Sequence, residues 1–155
     1  MHKQFLAVAN HLAIEILFGL DDETLAAAYR RRATSSAYYA LFHAFSAEAA
    51  DLLAGRGTAE WKRVYRSLDH RRCKDACDRL AKSAEVAPGL QDCAAAFPGL
   101  QEARHCADYD PDWTPDTGTV LAHIATAERA ITALINSPEA ARRAFVLCLL
   151  FQERH

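Results

Sequence analysis

The residues that break helices or favour strands are scarce in this chain. Glycine and proline contribute 6 and 5 of its 155 residues, about 7%, whereas an average protein has roughly 12% of the two. Valine and isoleucine contribute five residues each, and alanine contributes 32. A sheet protein needs β-branched residues in its strands and turn residues between them. The composition therefore excludes a mainly β protein and predicts an all-α fold.

Long apolar runs and an export signal are also absent. The longest uninterrupted apolar run covers the eight residues 144–151, far short of the roughly 20 that a membrane helix needs. The first residues lack the ordered basic, apolar and small-residue regions of a secretory signal. The five cysteines are an odd number without scaffold-like spacing, so we expect reduced thiols. These features predict a cytoplasmic protein that does not enter a membrane.

Helix signals divide the chain into an antiparallel bundle of five to six helices. Apolar residues recur at helical spacing over residues 2–17, and residues 23–53 contain neither glycine nor proline. Further helical stretches are predicted over about 58–83, 90–107, 116–135 and 138–152. Asp69 can cap a second helix within residues 58–83. Pro98 is expected to kink or restart the helix over residues 90–107. Short connections indicate one domain over residues 1–155.

The last predicted helix, residues 138–152, is apolar around most of its circumference. A helix of that kind is buried in the core of a protein or in an interface. We therefore expect it either in the core or between the two copies of a homodimer.

The net charge of −2 hides an asymmetry along the chain. Residues 29–82 carry 12 basic and 6 acidic residues, whereas the rest of the chain carries 6 basic and 14 acidic ones. Within residues 83–128, Arg104 is the only basic residue and stands among eight acidic ones. A basic segment is typical of polyanion binding, of pairing between copies of the chain, or of an ordinary solvated surface.

Residues 31–44, RRATSSAYYALFHA, place polar side chains on one helix face. Spacings of four, three and four residues align them on a helix. The four residues are Arg32, Ser36, Tyr39 and His43. They form either the polar wall of a cleft or a packed face whose hydroxyl and imidazole groups find partners inside the bundle.

Residues 101–111 gather a second polar set where a helix gives way to a loop. Its members are Arg104, His105, Asp108 and Tyr109. A guanidinium neutralises phosphate and an imidazole moves protons near pH 7, which are the two tasks of phosphodiester cleavage. The spacing equally predicts a structural ion pair between Arg104 and Asp108, four residues apart on a helix.

Together the two segments resemble the HEPN superfamily of helical-bundle proteins. One branch carries an Ala-Tyr-Tyr-Ala-x-Phe-His-Ala helix and, later, a helix that ends in Arg-x-x-Ala-Asp-Tyr. Both motifs are present, at residues 37–44 and 104–109. The resemblance covers about residues 20–135. It implies a HEPN-like bundle that pairs as a homodimer.

Active HEPN ribonucleases carry an arginine, a polar residue and, after a short spacer, a histidine, and they need no metal. Arg104 and His105 match the first two positions, but Tyr109 stands where the histidine is expected. The resemblance therefore implies binding of RNA or a nucleotide rather than ordinary cleavage. The implied ligand-binding residues are Arg104, Asp108, Tyr109, Tyr39, His43, Arg32 and Ser36, and the implied catalytic set is Arg104, His105 and Tyr109.

Many HEPN relatives are paired with a nucleotidyltransferase in toxin–antitoxin or defence systems, and in such pairs a tyrosine near this motif accepts adenylyl groups. By analogy, Tyr109 is the acceptor here. Two alternatives stay open. One is a metal-independent endoribonuclease in which Arg104 stabilises the phosphorane and His105 or His43 handles protons. The other is a non-catalytic structural or protein-interaction bundle.

Histidine and cysteine cluster at one further place. His70, Cys73 and Cys77 are spaced by three and four residues, so one helix face could present all three to a metal. No paired C-x-x-C pattern accompanies them, and cysteine commonly acts as a small core residue, so we expect no metal. The chain also lacks a glycine-rich phosphate loop and a dinucleotide fingerprint, and we expect no cofactor.

Overall fold

A computed structural model describes residues 1–151, which form seven α-helices and no strand. In chain order the helices are α1 (His2–Leu17), α2 (Glu23–Leu53), α3 (Ala59–Tyr65), α4 (His70–Leu80), α5 (Pro88–Tyr109), α6 (Thr117–Asn136) and α7 (Glu139–Leu150). The prediction of an all-α bundle is confirmed. None of the helices within residues 1–151 combines the length and the apolar character that crossing a membrane requires.

The count of five to six helices is too low because residues 58–83 form two helices. Asp69 begins α4, and its carboxylate accepts hydrogen bonds from the backbone N–H groups of Arg71 and Arg72 at 3.0 and 2.9 Å. A helix start leaves such N–H groups unpaired, and a capping carboxylate satisfies them. Pro98 does not divide α5, which runs unbroken from Pro88, a residue preset for the first helical turn.

Other helix ends follow the signals in the sequence. Gly19 follows α1 with a φ of +95°, a backbone conformation that glycine adopts without strain. Asp22 caps α2 through the N–H groups of Thr24 and Leu25, and Asp116 caps α6. The predicted end of the last helix at residue 152 lies outside the described residues, and α7 ends at Leu150.

The long helix α2 forms the centre of the bundle, where it contacts α1, α3, α5, α6 and α7. Phe45 of α2 stacks on Phe97 of α5 and meets Phe145 of α7 edge-on, with ring centroids 5.5 Å apart in both pairs. Buried alanines along α2 let the neighbouring helices approach closely. Because α5 packs directly against α2, the two motif segments come to the same region of the molecule.

The helix α7 lies partly in the core. A place in the core was one of the two positions expected for it, and the other was a homodimer interface. Phe145, Val146 and Leu149 are buried, whereas Leu147 is 39% exposed. Apolar side chains are exposed elsewhere too, and on or next to α1 they are Val8, Ile14, Leu17 and Phe18. The homodimer stays a prediction, and these exposed side chains are apolar surface available to a second copy.

Candidate functional site

The two sequence motifs meet where α2 packs on the last turns of α5. Arg104 of α5 donates a hydrogen bond from Nη2 to the hydroxyl of Tyr39 on α2, at 2.6 Å. Nε of Arg104 also lies 2.9 Å from Oδ2 of Asp108, one turn further along α5. The predicted ion pair is therefore present, and the same arginine links the α2 motif to the α5 motif.

Three tyrosine rings surround the Arg104 guanidinium. Its Cζ lies 5.3 Å from the ring centroid of Tyr39, 5.5 Å from that of Tyr109 and 5.8 Å from that of Tyr38. A cation within about 6 Å of an aromatic face is attracted to that face. The Arg104 side chain is only 20% exposed, so these contacts hold a partly desolvated cation at a fixed place near the surface.

Tyr109 forms the exposed end of this arrangement. Its residue surface is 64% exposed, and its hydroxyl makes no hydrogen bond to any described residue. The exposed ring of His105 lies beside it, with centroids 5.1 Å apart. We call Arg104, Asp108, Tyr109, His105 and Tyr39 the Arg104 surface. It combines a cation with two exposed rings.

The end of α5 is held in place by Arg31, a residue that the sequence analysis did not select. Its guanidinium donates hydrogen bonds to the backbone carbonyls of Ala107, Asp110 and Pro111, at 3.0, 2.6 and 3.0 Å. The last carbonyls of a helix lack partners within the helix, and a positive charge is favourable at that end. Arg31 therefore fixes the turn that carries Asp108 and Tyr109.

Of the four α2 side chains predicted to share a cleft, only Tyr39 contacts Arg104 directly. His43 lies one turn further, and its ring lies nearly parallel to Phe5 with centroids 5.1 Å apart. Ser36 is buried and Arg32 is exposed, and neither forms a hydrogen bond or an ion pair with the Arg104 surface within the described residues. The four residues span about 16 Å of α2 at 1.5 Å per residue, and Arg104 bonds to Tyr39 within that length.

His43 is held by α1 and α3, and it also contacts the Arg104 surface through Tyr39, with ring centroids 6.2 Å apart. Its Nδ1 lies 2.7 Å from the hydroxyl of Tyr65, and Phe5 covers its ring. Burial and then the positively charged N-terminal amino group lower the pKa of His43. The side chain is therefore a neutral, packed imidazole.

His70 lies beside the Arg104 surface. The sequence analysis did not predict this position for it. Its Nδ1 lies 2.5 Å from the hydroxyl of Tyr38, and its ring stacks on Phe42 with centroids 3.9 Å apart. Its ring is 6.3 Å from that of Tyr39, the hydrogen-bond partner of Arg104. Burial and then the charge of Arg104 lower the pKa of His70, so its imidazole is neutral near pH 7.

The weak metal candidate of His70, Cys73 and Cys77 is not assembled. Both cysteines are fully buried in the core, whereas the His70 ring packs on Phe42 and bonds to Tyr38. Burial and then the neighbouring Cys77 raise the pKa of Cys73, which keeps it a thiol. Within residues 1–151, no group of three or more histidine, cysteine and carboxylate side chains could hold a metal ion.

Comparison of the chain with protein-family models, curated proteins and solved structures finds no match. The HEPN resemblance therefore rests on the two motifs quoted above. What the structure adds is their contact through Arg104 and Tyr39, together with the neighbouring imidazole of His70.

Acid is expected to destabilise the fold through three histidines. His43, His70 and His123 each pair with a hydroxyl group, and burial lowers the pKa of each below 6.5. The unfolded chain then binds more protons than the folded one below pH 6.5. The free energy of unfolding therefore has its full value above pH 6.5, and it decreases as the pH falls below 6.5. Urea unfolding at pH 7.5 and at pH 5.5 measures this decline.

A single-histidine variant separates this effect from general acid sensitivity. His123→Gln should shrink the difference in unfolding free energy between the two pH values, because it removes one of the three groups. His11→Gln changes an exposed histidine of α1 and should leave the difference unchanged. Equal unfolding free energies of the unaltered protein at both pH values would contradict the prediction.

Proposed function

We propose that the protein binds RNA or a nucleotide at the Arg104 surface. The observation that carries this proposal is a fixed guanidinium with the exposed ring of Tyr109 at 5.5 Å. Guanidinium groups bind phosphate through charge-assisted hydrogen bonds, and exposed aromatic rings stack on nucleobases. One nucleotide can engage both groups, with its phosphate at Arg104 and its base on Tyr109 or His105.

Exposed basic residues extend this surface along α4. Arg71 and Arg72 follow His70 directly and are exposed, and neither forms an ion pair with any described residue. Gln101, one turn before Arg104, donates a hydrogen bond to the backbone carbonyl of His70, so this end of α4 lies next to the site. Unpaired cations beside a phosphate-binding arginine suit the backbone of a nucleic acid.

RNA affinity is expected to fall steeply with salt concentration. For a single strand, log K falls by about 0.7 per log unit of salt for each phosphate contact. Arg71→Gln combined with Arg72→Gln should therefore weaken binding and reduce this slope by about 1.4. Fluorescence anisotropy of a labelled oligoribonucleotide across a KCl series measures both quantities.

Arg129→Gln is the matched control, because Arg129 of α6 lies near Asp92 at the other half of α5 and should change neither quantity. Binding that is absent, or independent of salt, would contradict the proposal. That outcome would leave the structural or protein-interaction bundle as the function, with the contacts of Arg104 serving only to join α2 to α5.

A metal-independent endoribonuclease is the second candidate, and His70 is the observation that favours it. Histidine is the residue that most often transfers protons in catalysis, and the neutral imidazole of His70 stands next to the residues that hold Arg104. Incubation with total RNA in the presence of a chelator tests this activity. Cleavage that is lost in both Arg104→Ala and His70→Gln would support it, and intact RNA at high protein excess would exclude it.

The proposal includes pairing with a nucleotidyltransferase in a toxin–antitoxin or defence system. In support, the Tyr109 hydroxyl is exposed and forms no hydrogen bond with described residues, so a modifying enzyme can reach it. If a nucleotidyltransferase is encoded next to this protein, co-expression with it should transfer adenylyl groups from ATP to Tyr109 with release of pyrophosphate, detected by intact-protein mass spectrometry. The modification should disappear in Tyr109→Phe, and modification that persists in this variant would contradict the assignment.

A further inference from the structure

The carboxylate of Asp108 occupies the position at Arg104 that a ligand phosphate would take. It lies 2.9 Å from Nε and is itself 25% exposed. A guanidinium binds a carboxylate and a phosphate oxygen through the same donors. Asp108 is therefore an internal competitor for any anion that approaches Arg104.

The contact between Asp108 and Arg104 is a weak form of this ion pair. The ion-pair contact joins Nε to Oδ2 at 2.9 Å, and the Nε N–H is not aligned for a hydrogen bond to the carboxylate. Nη2 donates to Tyr39, and Nη1 has no partner among the described residues. Arg–carboxylate pairs are frequently bidentate, with two parallel N–H···O bonds, and this pair lacks that geometry. An anion with a stronger field can therefore displace Asp108.

Charge decides which phosphate does so. A phosphodiester inside a nucleic acid strand carries one negative charge, as the Asp108 carboxylate does, so exchanging them gains little electrostatic energy. A terminal phosphate monoester carries about −1.5 to −2 charges near pH 7 and offers three acceptor oxygens. Its larger charge is attracted to the guanidinium more strongly than the Asp108 carboxylate is, so this exchange gains electrostatic energy.

The charges around the site also indicate a strand end. Beyond Asp108, the chain continues into an acidic loop that contains Asp110, Asp112 and Asp116, and this loop repels a phosphate backbone. In the other direction along α5, Gln101 bonds to His70, which Arg71 and Arg72 follow. The acidic side chains of the loop favour a strand that leaves the site towards α4 over one that leaves towards the loop.

On the basis of the proposed binding function, we propose that Asp108 makes the Arg104 surface selective for nucleotides and RNA strands that end in a phosphate monoester. The terminal phosphate displaces Asp108 from Arg104, and the terminal base stacks on Tyr109 or His105. The rest of the strand runs along the basic residues of α4. Asp108 is thus the residue that determines specificity.

The test compares one labelled five-nucleotide RNA in three forms: with a 5′-phosphate, with a 3′-phosphate, and with hydroxyl groups at both ends. The unaltered protein should bind at least one phosphorylated form about tenfold more tightly than the hydroxyl form. Asp108→Asn should bind all three forms more tightly and reduce that ratio below about threefold. Asp92→Asn removes the same charge at the other half of α5 and should preserve the ratio.

The outcomes separate this inference from the proposed function. RNA binding that is lost in Arg104→Gln but does not distinguish the three forms would overturn the inference and leave the proposed function intact. Weaker binding by Asp108→Asn than by the unaltered protein would overturn it as well. No binding of any form would remove the proposed function itself. Asp108→Ser repeats the measurement with a side chain too short to bond Arg104 in the same way.

Discussion

Arg104→Gln is expected to weaken the binding of RNA and nucleotides about a hundredfold, since truncating one member of a close charge pair commonly removes 2–5 kcal/mol. Glutamine preserves much of the side-chain length but loses the charge and the planar fork that binds phosphate. Arg104→Lys should bind with intermediate affinity, because lysine retains the charge as a single point. Fluorescence anisotropy with the RNA that the unaltered protein binds most tightly measures all three proteins.

Arg143→Gln is the control for this experiment. Arg143 pairs with Glu139 four residues away on α7, as Arg104 pairs with Asp108, but within residues 1–151 no tyrosine ring lies against its guanidinium. Its loss should leave RNA affinity unchanged. If Arg104→Gln keeps an affinity within about threefold of that of the unaltered protein, the Arg104 surface is not the binding site.

Phe45→Ala is expected to lower the free energy of unfolding by about 3–5 kcal/mol, the range for deleting a buried aromatic ring. Phe45 is 0% exposed and contacts both Phe97 and Phe145, so three helices would line the resulting cavity. Domains of this size are typically stable by only about 5–15 kcal/mol. Urea unfolding followed by circular dichroism measures the change.

Phe18→Ala makes the same substitution at a residue that is 87% exposed and should change the free energy of unfolding by less than about 0.5 kcal/mol. If the two variants were equally stable, the ring of Phe45 would not contribute to the core as its burial indicates. A large loss for Phe18→Ala would instead show that this exposed ring is covered, as by a second copy of the chain.

The helices that could be predicted from the sequence are those with strong local signals. The bounds of α1 and α2 agree with the periodicity of their apolar residues and with the glycines that follow them. The break before α4 depends on the Asp69 cap, and the continuity of α5 through Pro98 depends on packing. Packing between helices cannot be recognised from a short stretch of sequence.

The site shows the same division between local and tertiary information. The ion pair of Arg104 with Asp108 follows from a spacing of four residues on one helix. His70, in contrast, reaches Tyr38 across 32 positions of the chain, and Arg31 reaches Ala107 across 76. Such contacts depend on how α2, α4 and α5 pack, so one sequence does not reveal them.

The hydrogen bonds of Arg31 have a consequence for the entropy of binding. The final turn of a helix ordinarily frays, because its last carbonyls have no partners within the helix. In this protein a neighbouring helix supplies those partners on both sides of the end of α5. The backbone that carries Tyr109 is therefore ordered before any ligand arrives, and a ligand that stacks there loses less affinity to ordering the protein.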